Sequence, residues 1–370
     1  MRRNRFITTA AAIMILSACS QAQDEPSFNP TPRPTRPGQA VIIAGDPGLD
    51  RPPRDGEYAL RASAYSDGGL AVDPRSGAVY FPTAGSEGRS IARIERDGRL
   101  TLIRSQNHAD QLGISGNELW VLSSQGRPHL TSISLSTLQT TFDLDLSRIP
   151  ERIQITNPSG DPLSDPERSR LEADLSGSSF TIRGDGIPVI ASRAGRIFEL
   201  SKTRELREWI PDGYAEALRQ TTEGKEFRLM SLAPAERRGV IVLGRNGLVR
   251  VDDSGHSKAI RFPTSDGGRP PWSAALSLDD GSILLLGGTT ETQRTPRPTL
   301  VRPDGSLELL SFGGPRWCDE FDGSLAVVAS ANPGGLAKRT DGTYVISDKD
   351  CGKVYSFTLP PRLSGSPYPR

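Results

Sequence analysis

Cysteine, histidine and methionine are scarce in this chain, three of each among 370 residues. That scarcity excludes much chemistry. There is no Cys-x-x-Cys pair, no Gly-x-Ser-x-Gly nucleophile elbow and no P-loop. Helical periodicity is almost missing too, since only residues 213–220, GYAEALRQ, read clearly as a helix. A dominant charge is also lacking. The formal net charge is +1, and it falls to −2 once the first 18 residues, with Arg2, Arg3 and Arg5, are set aside. A nucleic-acid binder would need a basic face that this balance does not provide. Lysine supplies only six of the 45 basic residues, a mark of base composition rather than of function.

Glycine and proline are abundant, 38 and 30 residues, and they punctuate short alternating apolar runs. This is the pattern of an all-β chain. Ahead of it stands a segment with a different purpose. The three arginines precede FITTAAAIMILSA, an apolar stretch of about a dozen residues, too short to span a bilayer as a stable helix and typical of a signal peptide. LSAC at residues 16–19 resembles the lipobox of bacterial lipoproteins. That resemblance implies lipidation of Cys19, which then becomes the mature N-terminus and anchors the chain in the membrane. Residues 20–39 carry five prolines and almost no large apolar side chains. They read as an extended tether.

The expected organisation is therefore a signal peptide over 1–19, a tether over 20–39, a domain over 40–360 and a tail over 361–370. Within the domain one unit recurs six times. Its second strand reads AVYFP from Ala78, ELWVLS from Glu118, IPVIAS from Ile187, VIVLG from Val240, SILLLG from Ser282 and TYVISD from Thr343. Each is preceded by an apolar strand and a turn, mostly containing Gly or Asn, and followed by a third strand, which in the first five units leads through a second tight turn to a fourth strand. Successive second strands begin 40, 69, 53, 42 and 61 residues apart. The shorter spacings fit the blade of a β-propeller and the longer ones carry insertions. A sandwich would need long crossovers between sheets, whereas here each group of four strands is joined locally.

The sixth unit runs out after KVYSFTL, before any fourth strand, and an uncovered edge would expose unpaired backbone groups. AVIIAG at 40–45 has the right length and no partner of its own. The expectation is a six-bladed β-propeller of four-stranded antiparallel blades, closed by this N-terminal strand pairing into the last blade.

Residues 44–73, AGDPGLDRPPRDGEYALRASAYSDGGLAVD, resemble the leading segment of an NHL-repeat β-propeller; residues 88–103 and 332–357 resemble further repeat segments. The Asn-His-Leu tripeptide of that family is missing from every blade. The resemblance implies a binding platform, with lactonases and lyases on related six-bladed rings.

Blade topology separates two ends of the ring. Turns joining strands one to two and three to four lie at one end, and these are short. Loops joining strands two to three and each blade to the next lie at the other. The long connections, 46–68, 145–178, 211–226, 288–298 and 313–334, are assigned to that second, loop-rich end. Long loops in a compact domain are usually functional or disordered, so the loop-rich end is the candidate binding surface. Residues 157–179 have a composition that suits either.

Candidate ligand-binding residues cluster in PRWCDEFDG: Trp317, Asp319, Glu320 and Asp322, with Trp272 near the channel mouth. Aromatics beside carboxylates suit a sugar, a cation or a peptide, and the expected partner is an envelope protein, peptide or glycan. Cys318 and Cys351, exported together, are expected to pair as a disulfide. No cofactor is expected. His256 falls at the opposite end from His108 and His129, which argues against a three-histidine zinc site. SDKDCG resembles the start of a calcium loop, but Gly352 stands where a ligand is needed, so it reads as a turn. The alternative is a lactonase-like or lyase-like enzyme holding a divalent metal over the channel. It would draw on the starts of the first strands, Asp67, Asp110, Ser178, Glu226, Trp272 and Asn332, which form a poor ligand ring.

Overall fold

A computed structural model describes residues 31–46, 51, 53–64, 68–85, 88–105, 107–124, 127–149, 155–157, 159, 161–222, 226–235, 237–262, 272–287, 298–310, 323–325, 328 and 332–361. It begins with strand β1 (Ala40–Ala44). Blade one follows as β2 (Ala71–Val72), β3 (Val79–Gly85), β4 (Gly88–Ile94) and β5 (Leu100–Arg104). Blade two is β6 (Gln111–Ser115), β7 (Glu118–Ser123), β8 (His129–Ser134) and β9 (Thr140–Asp145). An insertion with β10 (Ile155–Thr156) and helix α1 (Asp165–Asp174) leads to blade three: β11 (Ser179–Ile182), β12 (Pro188–Ala191), β13 (Ile197–Leu200) and β14 (Leu206–Trp209). Helix α2 (Tyr214–Thr222) precedes blade four, which is β15 (Leu229–Ala235), β16 (Gly239–Gly244), β17 (Gly247–Val251) and β18 (Ser257–Arg261). Blade five comprises β19 (Trp272–Ser277), β20 (Ile283–Gly287), β21 (Thr299–Val301) and β22 (Leu307–Leu309). Blade six has β23 (Pro333–Lys338), β24 (Tyr344–Asp348) and β25 (Lys353–Phe357) from the C-terminal end of the chain.

The fold is the six-bladed β-propeller that the repeats predict, each blade an antiparallel meander. The ring closes as expected. β1 pairs antiparallel with β25, Ala40 opposite Phe357 and Ile42 opposite Tyr355, and so becomes the fourth strand of blade six. Among the described residues blade three alone has a fifth strand, because β10 adds parallel to β14.

Alternation along the strands sends side chains to both faces of every blade, so each blade buries residues against two neighbours. The outcome is six hydrophobic clusters, one at each junction around the ring. Phe81, Val345 and Ile43 join blades one and six, whereas Tyr80, Ile114 and Val121 join one and two. Trp120 and Phe198 join two and three, and Val189 and Val242 join three and four. Leu243 and Leu285 join four and five, and Leu286 and Tyr355 join five and six.

The insertions do something that the sequence did not suggest. Four of the five long connections reach or cover the outermost strands, among them 313–334, whose Gly323 carbonyl accepts Ala40 N–H and whose Ser324 bridges Gln39 at the short-turn start of β1. Gly56 N–H donates to the Leu100 carbonyl and Leu100 N–H to the Glu57 carbonyl, laying part of 46–68 against β5. β10 covers β14. Helix α2 packs on β17 and β18, starting where Asp212 bridges His256 beside the β17–β18 turn and ending with Thr221 against Gly247 at the β16–β17 turn. An uncovered strand edge invites pairing with another chain. These segments therefore have a structural use, which corrects their assignment to the loop-rich end alone.

Helix α1 also settles part of 157–179. Ser164-Asp-Pro-Glu places a proline in the first turn and lets Glu167 accept from Ser164 N–H at 2.9 Å, the reach-back half of a capping box. Both groups of Ser164 hold the Glu167 carboxylate below its usual range. Leu171 and Leu175 are fully buried against blades two and three.

Candidate functional site

Two glycine pairs shape the junction of blades six, one and two. Gly-Gly-Leu occurs at 68–70 and again at 334–336. A Cβ on Gly335 would lie 2.1 Å from Leu70 N, and one on Gly334 would lie 2.4 Å from the Gly68 carbonyl oxygen. Only glycine lets these inner backbones approach so closely. Beyond them Gly69 N–H donates to the Asp110 carbonyl, drawing blade two into the same contact.

Around this seam, at the loop-rich end, polar side chains gather. Asp348 closes β24 and is 2% exposed. Its Oδ1 accepts the N–H of Asn332 at 3.2 Å and of Asp350 at 3.1 Å. Burial pushes its carboxyl up to about 6, against those two hydrogen bonds. Asn332 Nδ2 donates to Asp350 Oδ1 at 3.0 Å. In blade two, Asp110 accepts the Ser124 hydroxyl at 2.7 Å and lies 3.0 Å from His108 Nδ1. Gln111 Nε2 donates to Ser179 Oγ at 3.0 Å, and that same oxygen accepts Leu232 N–H at 2.9 Å, linking blades two, three and four.

The residues singled out from the sequence are scattered by the fold. Trp317, Asp319, Glu320, Asp322, Cys318, Cys19 and Asp67 lie outside the described residues. Trp272 is buried, edge-to-face on Phe262 with ring centroids 4.5 Å apart, so its surface is spent on the core between blades four and five. Of the first-strand ring, Asp110 and Asn332 are turned to partners in their own blades, Ser178 is buried with its hydroxyl unpartnered, and Glu226 is exposed. His129 pairs with Asp143, and His256 lies beside Ser254 at the other end of the ring. Among the described residues no three His, Cys, Asp or Glu side chains gather in a group able to hold a metal.

Sequence reading misses the buried carboxylate of Asp348, because SDKDCG reads only as a turn. Its alternate acids and its place after an unbroken apolar strand were the available signal.

No family model and no curated protein matches this sequence. Solved structures do. An auxiliary nutrient binding protein from Bacteroides ovatus aligns over 86% of this chain and 76% of its own, with a TM-score of 0.53 and 12% identity. One from Bacteroides thetaiotaomicron aligns over 86% and 75%, at TM-score 0.54 and 10% identity. A structural-genomics protein of unknown function from the same organism also covers 86% and 75%, at TM-score 0.55 and 11% identity. At such identities the likeness is one of fold. No helix among the described residues is long and apolar enough to cross a membrane.

Proposed function

We propose that this protein is an exported lipoprotein, a propeller of the NHL type tethered through Cys19, that works as a binding module at the cell envelope through its loop-rich end. The observation carrying this reading is the direction of β1. The segment before it enters at the short-turn end, where the Thr358 hydroxyl donates to the Arg36 carbonyl at 2.7 Å, and β1 then runs toward the loop-rich end. A chain anchored at residue 19 thus presents its short turns to the bilayer and its loops away from it. Residues 20–30, extended at about 3.1 Å each, would give that arrangement roughly 3 nm of clearance.

In this reading Trp317 is the rigid aromatic anchor and Asp319 and Glu320 set charge preference toward an envelope protein, peptide or glycan, whereas Asp322, whose neighbour Gly323 meets Ala40 at the short-turn end, has no part in it. Trp272 has no part in it. Cys318 and Cys351 form a disulfide holding the entry into blade six to its β24–β25 turn. Auxiliary nutrient binding among proteins of the same fold is compatible with this role and does not identify a ligand.

A photo-crosslinker at exposed Glu226 or at exposed Asp304, carried in both wild type and Cys19→Ala, tests both parts. Wild type should fractionate with membranes and capture partners from Glu226 but not from Asp304. Cys19→Ala should be soluble or left unprocessed. Membrane retention of normally processed Cys19→Ala, or capture only from Asp304, overturns the reading.

A further inference from the structure

At the short-turn end the same three blades that the glycines draw together move apart. They leave a cavity of about 1130 Å³ beneath the tether. Its wall comes from the β2–β3 and β4–β5 turns of blade one, from Gly116 and Asn117 of blade two, and from Arg339 of blade six, while residues Thr31 to Thr35 cross above it. The tether is tied at both sides. Thr31 donates to the Glu95 carbonyl of blade one at 3.1 Å, and Arg33 lies 3.4 Å from Asp341 of blade six.

Arg339 is 6% exposed, yet its Nε and Nη1 have no hydrogen-bond partner. A guanidinium is charged at any physiological pH, and leaving its donors dry and unpaired is costly. Burial lowers its affinity for a proton, and neighbouring Arg33 lowers it further while Asp341 opposes them. The cavity also carries Arg33, Arg75, Arg93 and Arg96 against Asp73, Glu95 and Asp97, a formal excess of two positive charges with Arg339 counted. Arg93 is already paired to Glu95, which leaves Arg339 as the buried guanidinium in the wall of the space with donors unpaired. A planar fork of N–H groups matches the two oxygens of a carboxylate or phosphate.

We propose that this cavity is an anion site, in which Arg339 receives the carboxylate or phosphate group of a small polar molecule held between blade one, blade six and the tether. It is separate from the loop-rich surface and does not depend on that surface's role. A sequence would not disclose it, because GLAKRTDG reads as an ordinary strand and turn.

The test is a thermal melt of the full mature domain with orthophosphate or D-glucuronate at matched ionic strength, for wild type, Arg339→Met, Arg339→Lys and the surface control Arg302→Gln. Wild type and Arg302→Gln should be stabilised by at least one of the two anions, and the responding anion identifies the group. Arg339→Met should melt higher than wild type without anion, since an unpaired buried charge has gone, and should lose the anion response. Arg339→Lys should keep a response weakened about tenfold in apparent affinity, as charge is kept and the fork lost. Equal anion responses in wild type and Arg339→Met, or no response to either anion in wild type, would overturn the proposal.

Discussion

Asp348 and Arg339 are buried at opposite ends of one hairpin of blade six, and they are treated differently. Asp348, at the loop-rich end of β24, has backbone N–H groups of Asn332 and Asp350 directed at its oxygen. Arg339, at the β23–β24 turn, has two guanidinium nitrogens directed at nothing in the protein. The surroundings explain the contrast. At the loop-rich end the entry into β23 and the β24–β25 turn converge on Asp348 with their backbone N–H groups, whereas the splayed turns leave Arg339 in the wall of a cavity. A buried charge that the chain satisfies is a structural element, and one left open is a place for something else.

The largest expected effect concerns what holds the loop-rich end of blade six. If Cys318 and Cys351 pair, they close a loop of about thirty residues, and reduction should cost about 3–4 kcal/mol in the chain-entropy model. Non-reduced exported protein should show no titratable thiol and should melt lower after dithiothreitol. Two free thiols in that sample would leave the loop-rich end held by hydrogen bonds alone, as the turn end is.

How much of this contrast the sequence discloses differs between fold and site. The blades, their order and the closing β1–β25 pair were legible, because period-two alternation and Gly turns are local signals repeated six times. Helix α1 was legible in principle through Ser164-Asp-Pro-Glu, but polar composition outweighed it. The use of the insertions as edge covers was not, since whether residues 56–58 or 155–156 meet a neighbouring strand depends on long-range docking. Trp272 shows the same limit: its position at the start of β19 was right, and its burial on Phe262 follows from the packing of two blades. Arg339 depends on three blades and the tether together, which no single repeat encodes.

The titration of Asp348 gives the next effect. Its carboxyl in the folded protein titrates near 6, above the ordinary value of 3.8 that it regains on unfolding. The folded state therefore binds this proton more tightly. The contribution to stability is fully present below about pH 4 and is lost as pH rises through about 6. That amounts to about 2–3 kcal/mol on the scale of 1.4 kcal/mol for each pH unit of difference. Urea midpoints between pH 4 and 7 should fall along this curve in wild type, and Asp348→Asn, neutral and still an acceptor, should flatten it. Asp348→Ala should instead lose about 1–3 kcal/mol at every pH, because two buried N–H groups lose their acceptor. An unchanged slope in Asp348→Asn would mean that Asp348 is solvated and the contrast with Arg339 fails.

The smallest effect is expected where the tether meets the turn end. Arg33 reaches Asp341 at 3.4 Å, but its side chain is 66% exposed, and exposed pairs contribute little because both ions remain hydrated and the long side chain loses freedom. Asp341 does not depend on it: although burial opposes ionisation, the Thr343 hydroxyl and N–H, at 2.6 and 3.0 Å, hold its carboxylate below the usual range. Arg33→Ala should therefore change stability by less than about 0.5 kcal/mol. The tether should stay in place, since the hydrogen bond from the Thr358 hydroxyl to the Arg36 carbonyl and the hydrogen bonds from Thr35 and Arg36 N–H to the Gln39 side chain are untouched. Hydrogen exchange at Ala40 and Ile42 should match wild type. Marked deprotection there would show that the ion pair, and not the strand and its side-chain clasp, keeps the roof over Arg339.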